Sequence, residues 1–400
     1  MCILLAPPVV FDARPGRCWA ATVRMTRPCI GALCIAGLLQ ISASPAFSES
    51  AASSEPVGIH TLVIRGASDT VLSLPMEQLP VFFGLVRAVT ATSVTVAAGV
   101  TPDGTRLSPG WSANQFVYDV AAGQRRTFLL EFASGALKGA CYKITANDLS
   151  TVTLETEGDD LTAHPRLGAV AVNDAVRIYP FWRVRDVFSP AGAPLIEARP
   201  NPAEPKDDLL FPSQFPIGIN KAPSMTIYYL AGQGWRAAGS GAEDFSDHPL
   251  RPNQGFIVRR RNAVDLEVVN CGAAALVRSV SFVPGGDGTS ANDSYISLVH
   301  PVAVTLDESG LRSADQANTV IRDSISDFAR QDELLAWSPN STGFNVAPSI
   351  TYYYRAGQGW KQVGSTTIIG GTVMLQPGAA YIVRKKAQNP GVDWIKEPNF

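Results

Sequence analysis

The chain has 400 residues, of which 17% are charged and 46% hydrophobic, and its formal net charge at pH 7 is −2. A charged fraction well below the usual quarter, combined with 34 glycines and 29 prolines, argues against a coiled coil, a disordered charged chain and a helix-rich enzyme. The near-neutral balance gives no electrostatic basis for nucleic-acid binding. The length allows two or three modules of ordinary size.

The chain begins with the features of a secretory signal. Arg24 and Arg27 precede an apolar run over 29–39, and small residues follow it. This order predicts a signal peptide over 1–48 that is cut before Glu49. The run is shorter than the roughly 20 residues that span a bilayer, so no membrane span is expected once the signal is removed.

Met25 opens a signal of normal length, so we interpret residues 1–24 as a start placed too far upstream. Removing 1–48 leaves 29 basic and 34 acidic groups, a net charge of −5, and only two of the six cysteines, Cys141 and Cys271. An oxidising compartment permits a disulfide between them. The alternative is two separate buried thiols.

Short runs of β-branched and aromatic residues, separated by turn residues, follow. Segments 81–89 and 93–96 have the pattern of a hairpin. Further strands are expected over 127–132, 141–145, 151–156 and 175–179. Strands at this spacing predict that 49–188 forms a small antiparallel β-barrel or β-sandwich module. A proline-rich connector is expected over 189–206.

The strongest feature of the sequence is an internal similarity. Residues 223–235 return as 348–360 at an offset of 125. The register holds without a gap when 207–261 is compared with 332–386, and about 24 of the 55 aligned pairs are identical. A match of this length at constant register predicts a duplication.

The duplication divides the remainder of the chain into a first β repeat over 207–275, a connecting β segment over 276–331 and a second β repeat over 332–400. The expected fold class is all-β, a small antiparallel barrel or sandwich module followed by two repeated β units. The two copies would pack about a pseudo-twofold axis or lie side by side. A shorter similarity joins 68–74 to 292–298.

Several motifs resemble those of an exported bacterial protein family of unknown function that has several paralogues per genome. They are SG at 134–135, ITAN at 144–147, GDDL at 158–161, IYPFW at 178–182, TIYY at 226–229, PVAVTLDESGL at 301–311 and YYY at 352–354. The chain departs from the family pattern at Phe181 and at the two cysteines. The resemblance implies export and a β-rich architecture, and it carries over no catalytic residues.

Few residues have the type and spacing that are typical of catalysis or metal binding, and no catalytic residue, metal site or cofactor is predicted. The four histidines are not within metal-ligand spacing of one another. No nucleophile elbow or phosphate-binding loop is present in the sequence. Weak calcium candidates lie in two acidic, turn-rich segments, and turn formation by Asp accounts for them equally well. These candidates are Asp159, Asp160, Asp287 and Asp293.

The duplicated aromatic residues are the main candidates for ligand or glycan recognition, because rings stack on sugar faces and line interfaces. The alternative is core packing. The residues concerned are Tyr228, Tyr229, Trp235, Tyr353, Tyr354 and Trp360. The basic strand ends at 259–261 and 384–386 are expected to be solvated.

The sequence therefore predicts an exported, non-catalytic binding or structural protein of the cell surface, extracellular space or periplasm. Its expected partners are a glycan or another surface protein, and nucleic acid is not expected. The alternative is a carbohydrate-active hydrolase with an unrecognised carboxylate pair, which would need two acids about 5–10 Å apart across a cleft.

Overall fold

The computed structural model describes residues 56–399 apart from 101–103 and Gln214. The predicted signal peptide, its cleavage site and the upstream start lie outside the described residues. Among the helices that the structure does describe, none is long and apolar enough to cross a bilayer.

Two strands open the described chain, and a barrel follows them. These strands are β1 (Val57–Ile64) and β2 (Ser68–Leu72), then β3 (Phe82–Val89), β4 (Ser93–Ala97), β5 (Gly99–Val100), β6 (Arg106–Leu107), β7 (Phe128–Phe132), β8 (Cys141–Asn147), β9 (Thr151–Glu155) and β10 (Ala175–Pro180). Six of them close into an antiparallel barrel in the order β10-β3-β4-β9-β8-β7. The prediction of an all-β fold with a small antiparallel barrel is confirmed.

Alternating apolar residues fill the barrel. Val152 and Leu154 of β9 point inward together with Leu130 of β7 and Ile178 of β10, and all four are buried. A chain of edge-to-face aromatic rings closes one part of this core, with ring centroids 4.8–5.3 Å apart. The rings belong to Phe82, Trp111, Phe116 and Phe128. The alternation of apolar and polar residues along the strands thus determines which side chains fill the barrel interior.

The rest of the chain forms two similar sheets. The next elements are β11 (Trp182–Arg183), α1 (Val184–Phe188), β12 (Asp208–Pro212), β13 (Pro223–Leu230), β14 (Gly234–Ala237), β15 (Pro249–Leu250), β16 (Phe256–Arg260) and β17 (Leu266–Ala273). The last elements are β18 (Ser279–Val283), β19 (Asn292–Ser297), β20 (Val304–Thr305), β21 (Glu333–Ala336), β22 (Ile350–Arg355), β23 (Gly359–Gln362), β24 (Met374–Leu375), β25 (Ala380–Lys385) and β26 (Val392–Lys396).

We call β1, β2, α1 and β11–β17 the first unit, and β18–β26 the second unit. The first unit has a five-stranded sheet in the order β14-β13-β12-β16-β2 and a two-stranded ribbon, β1-β17. The second has the matching order β23-β22-β21-β25-β19 and the ribbon β18-β26. The registers also correspond, since Leu209 pairs with Ile227 and Leu334 with Tyr352. The barrel lies in the chain between β2 and β11 of the first unit.

The early strands pair far along the chain. β1 and β2 fall within the segment that the sequence grouped with the N-terminal module, yet they are hydrogen-bonded to β17 and β16 of the first unit. The short similarity between 68–74 and 292–298 lies on β2 and β19, which occupy the same edge of the two five-stranded sheets.

In each unit an aspartate binds a loop of the other unit, and we call this pair of equivalent contacts the reciprocal clasp. In the first unit, Asp69 binds Arg259 through two 2.7 Å contacts and also accepts from the backbone N of Asn345 at 2.7 Å. In the second unit, Asp293 binds Arg384 and accepts from the backbone N of Asn220 at 2.8 Å.

The backbone repeats this exchange. Asp69 N donates to Gly343 O, and Asp293 N donates to Gly218 O, each at 2.9 Å. Asn220 and Asn345 both have positive φ, 51° and 54°, which asparagine tolerates better than most residues. Reciprocal contacts between equivalent residues are those of pseudo-twofold packing, whereas side-by-side packing would not produce them.

A buried ion triplet joins the barrel to the first unit. Arg177 projects from the outer face of β10 and is 3% exposed. It binds Glu77 at 2.7 Å and also Glu131. Glu77 is tied to the end of β17, because its backbone exchanges two hydrogen bonds with Ala273. The barrel is therefore anchored by charge pairing in a site closed to solvent.

The expectation that the basic strand ends are solvated holds for Arg261 and Lys386, which are exposed, and was wrong for the buried Arg260 and Lys385. Arg260 pairs with Asp207 at 2.8 Å, and Lys385 pairs with Asp332 at 3.1 Å. Both side chains of the second pair are 0% exposed. The two pairs are equivalent at the offset of 125. Each joins the sheet strand that comes last in the chain, β16 or β25, to the residue just before the central strand, β12 or β21.

We expect Asp332→Asn to lower the free energy of unfolding by about 3–5 kcal/mol, because it leaves the buried Lys385 ammonium without its counter-ion. Urea unfolding followed by tryptophan fluorescence measures the change. Asp265→Asn is the control, since Asp265 pairs with Arg65 at the exposed surface, and it should change stability much less. Equal effects of the two substitutions would contradict the structural role of the buried pair.

Candidate ligand cleft between the barrel and the two units

A cleft of about 910 Å³ lies where the barrel and the two units meet. The barrel contributes β8 and the loop that follows β9. The first unit contributes 211–215, without the undescribed Gln214, and 248–254. The second unit contributes parts of β18 and β19 together with Asp393. Volumes of this size are typical of small-molecule sites.

Aromatic side chains form much of the wall. Phe211 meets the His248 ring edge-on, with centroids 4.9 Å apart. Phe215 is 65% exposed and Phe282 is 46% exposed, so these two rings present accessible faces. The guanidinium of Arg166 lies over Phe282, 5.3 Å from the ring centroid.

Six of the seven charged side chains that line the cleft form three ion pairs with one another. Among the described lining residues, every Lys, Arg, Asp and Glu has a partner that also lines the cleft. The contacts are Lys143–Glu155 at 2.5 Å, Arg166–Asp393 at 2.6 Å, Arg251–Glu157 at 3.8 Å and Asp159 with Tyr142 at 3.0 Å. A charged ligand would have to compete with these pairs.

Asp159 is held by two donors. The His164 Nδ1 atom accepts from the backbone N of Leu167 at 3.1 Å, so the proton lies on Nε2, which is 3.3 Å from Asp159. The Tyr142 hydroxyl donates to the same carboxylate. Burial, followed by the charge of Asp159, raises the pKa of Tyr142, which keeps the hydroxyl protonated as a donor.

The pseudo-twofold axis relates this cleft to a smaller groove of about 400 Å³. There Ser73 N donates to Gly378 O at 2.9 Å, and Ser73 Oγ donates to Ala379 O at 3.1 Å. Beside the large cleft, the buried Ser297 Oγ, which corresponds to Ser73 Oγ, has no hydrogen-bond partner among the described residues, and neither has the side-chain oxygen Asn253 Oδ1. The two related grooves therefore differ in polarity as well as in size.

The structure places the repeated aromatic residues in two separate cores. Trp235 is 2% and Trp360 0% exposed. Each meets a half-buried tyrosine edge-on, Tyr229 at 5.4 Å and Tyr354 at 5.7 Å between ring centroids. Tyr228 and Tyr353 are buried as well. No common surface is formed by the two sets, and of these six residues none lines the large cleft.

The calcium candidates bind protein donors. Asp160 accepts from the Thr162 backbone N at 2.8 Å, and Asp287 accepts from the Ser290 backbone N at 2.6 Å, so both stabilise turns. Asp293 belongs to the reciprocal clasp and Asp159 to the cleft. Within the described part of the chain, no group of three or more His, Cys, Asp or Glu residues is placed to hold a metal ion.

The two cysteines are free thiols in the structure. Cys141 Sγ lies 3.3 Å from the Tyr179 hydroxyl at the barrel surface that faces the first unit, and burial raises its pKa. Cys271 is exposed on β17. The possible disulfide is therefore not formed, and only Cys141 fits the expectation of a buried thiol.

Analysis of the sequence missed this cleft because its walls come from segments that are far apart in the chain. Phe211, Asp159 and Phe282 come together only through the closure of the barrel and the pairing of the units. Comparison with protein-family models, with curated proteins and with solved structures found no match. The interpretation of the cleft therefore rests on its own geometry.

Burial and the nearby Arg251 lower the pKa of His248 to about 4, from 6.5. A depressed pKa means that the unfolded chain binds the proton first, so the stability contributed by neutral His248 is complete above pH 6.5. It is lost as the pH falls toward 4, by about 2–3 kcal/mol. In urea unfolding between pH 7 and 4, His248→Phe should lose stability less steeply than the natural protein. Parallel profiles would contradict this assignment.

Because Trp360 is fully buried, Trp360→Ala should lower the free energy of unfolding by about 3–5 kcal/mol. The matched control is Phe328→Ala, which removes an aromatic ring that is 99% exposed. Thermal and urea unfolding should leave the control close to the natural protein. A stable Trp360→Ala variant would contradict the core assignment.

Proposed function

We propose that the protein is an exported, non-catalytic binding protein and that it binds a neutral, hydroxyl-rich ligand, a glycan, in the cleft between the barrel and the two units. The observation that carries this proposal is the cleft's combination of partly exposed aromatic rings with lysine and arginine side chains that are already in ion pairs. Sugar rings have apolar faces that stack on aromatic side chains and hydroxyls that bond to polar groups.

The uncharged groups of the cleft support a neutral ligand. Asn253, Gln254 and Ser281 line it, and the amide oxygen of Asn253 is one of the unsatisfied buried atoms. A buried polar atom without a partner costs about 1–3 kcal/mol, so a ligand hydroxyl that reaches it regains that energy. An anionic ligand, in contrast, would find every described Lys and Arg of the lining already in an ion pair, and the one carboxylate outside these pairs, Asp159, already accepts from Tyr142.

We also propose that the two units arose by duplication and that the barrel was inserted into the first of them. The matched strand orders and the constant offset support this origin. The insertion accounts for the inequality of the two grooves, because the barrel supplies a third wall to only one of them.

Binding without turnover is favoured over the hydrolase alternative. A glycosidase needs one carboxyl that is free to donate a proton and another that faces it across the substrate. The Asp159 carboxylate already accepts a hydrogen bond from Tyr142 at 3.0 Å and lies 3.3 Å from His164 Nε2, and Asp393 is held by Arg166 through two contacts at 2.6 and 2.9 Å. Both carboxylates are therefore already engaged by protein side chains of the cleft wall.

Export is proposed from the sequence over 24–48, and the site of action is then the cell surface, the extracellular space or the periplasm. Amino-terminal sequencing of the protein secreted by its own host tests this proposal. The expected mature chain begins at Glu49, and a chain that retains residues 1–48 would contradict export by this signal.

Binding to a glycan array, followed by calorimetric titration of the best neutral glycan, tests the function. Phe282→Ala and Phe215→Ala should each weaken binding by about tenfold, since a stacked ring contributes about 1–1.5 kcal/mol. Phe328→Ala is the control and should bind as the natural protein does. Absence of binding to any glycan, or equal weakening by all three substitutions, would contradict the proposed site. Release of reducing sugar would favour the hydrolase instead.

A further inference from the structure

Four arginines gather at a second place where the barrel meets the first unit, and we call them the arginine cluster. Arg125 and Arg126 precede β7 of the barrel, Arg183 ends β11 and Arg185 lies in α1. None of the four lines the ligand cleft. The cluster is therefore a separate feature of the molecular surface.

One buried carboxylate, that of Asp247, binds three of the four arginines. The Asp247 side chain is 2% exposed. Its Oδ2 atom accepts from Arg125 Nε at 2.5 Å, and its Oδ1 atom accepts from Arg183 Nη1 at 3.2 Å and from Arg185 Nη2. Three guanidinium groups are thus fixed around one point before any ligand arrives.

The outer contacts leave the cluster with excess positive charge. Asp186 holds Arg183 at 2.7 Å and lies 3.5 Å from Arg126, while Asp244 binds Arg125 at 3.0 Å. Four guanidinium groups thus share three carboxylates. The neighbouring cations Arg183 and Arg185 contribute to lowering the pKa of Arg126, after burial, which is the mutual repulsion expected of such an excess.

The cluster is open to solvent on its outer side. The side chains of Arg125, Arg126 and Arg185 are 37%, 33% and 32% exposed. The Nε atom of Arg185 is buried and has no hydrogen-bond partner among the described residues. The cluster therefore combines accessible guanidinium groups with an unsatisfied donor.

We propose that the arginine cluster binds a small oxyanion, a carboxylate, sulfate or phosphate group, at a site independent of the glycan cleft. A guanidinium group presents parallel N–H donors that match the oxygens of such anions. One bound negative charge would balance the excess cation. Asp247 preorganises the guanidinium groups, so that little side-chain entropy is lost on binding.

Calorimetric titration of the purified protein with sodium sulfate, sodium phosphate and sodium glucuronate, each against sodium chloride at matched ionic strength, tests the proposal. At least one oxyanion should bind with one equivalent per chain and raise the melting temperature above that in chloride. The three arms identify which oxyanion chemistry the site prefers.

Two variants give opposite expected results. Arg185→Gln should weaken oxyanion binding by at least tenfold, whereas Asp244→Asn should strengthen it severalfold by releasing Arg125 and removing a competing charge. Arg65→Gln is the control, because Arg65 forms an exposed pair with Asp265 elsewhere, and it should not change the affinity. If Arg185→Gln fails to fold, Arg126→Gln replaces it.

Heat signals that are identical in oxyanion and chloride would overturn the proposal, as would equal affinities of the natural protein and both cluster variants. Neither result depends on the glycan cleft, and loss of glycan binding in Phe282→Ala would leave oxyanion binding unchanged. The two sites can thus fail separately.

Discussion

The reciprocal clasp is the contact on which the arrangement of the two units depends. Asp69 and Asp293 each bind an arginine within their own unit and a backbone amide from the other unit. Each carboxylate thus ties the edge of its own sheet to a loop of its partner. Because the same contact occurs twice in opposite directions, it fixes both the distance and the orientation between the units.

That fixed orientation allows one copy to carry an additional module. The barrel leaves the first unit after β2 and returns at β11, and Glu77 and Arg177 anchor it where no solvent reaches. A barrel held in this way covers one of the two related grooves and leaves the other uncovered. The barrel therefore adds a wall to the larger groove that the smaller groove lacks, which accounts for the difference in their volumes.

The sequence was informative about local structure and much less so about long-range pairing. Period-two alternation over 151–156 identified a barrel strand, and the offset of 125 identified equivalent strands such as β13 and β22. The partners of β1 and β2 were not predictable, because about 200 residues separate Ile64 from Leu266. For the same reason the cleft, whose walls are joined only by tertiary contacts, left no local pattern in the sequence.

The comparison of the two copies contains a further piece of information about function. Positions that are identical at the offset of 125 lie mostly in the scaffold: Asp207 and Asp332 are buried partners of cations, and Trp235 and Trp360 are core residues. Most first-unit positions that line the cleft differ between the copies, whereas Ser213, Ser224 and Pro252 are matched by Ser338, Ser349 and Pro377. Phe211, Phe215, His248 and Asn253 stand where the second copy has Ala336, Asn340, Val373 and Gly378.

This pattern has a physical reason. A fold that is used twice constrains the same interior and the same clasp residues in both copies, so identity reports packing. A binding surface needs to be formed only once, and its residues are then free to differ from those of the other copy. The repeated Trp235 and Trp360 accordingly lie in the two cores, whereas Phe211, Phe215 and His248, which have no aromatic counterpart in the second copy, line the larger cleft.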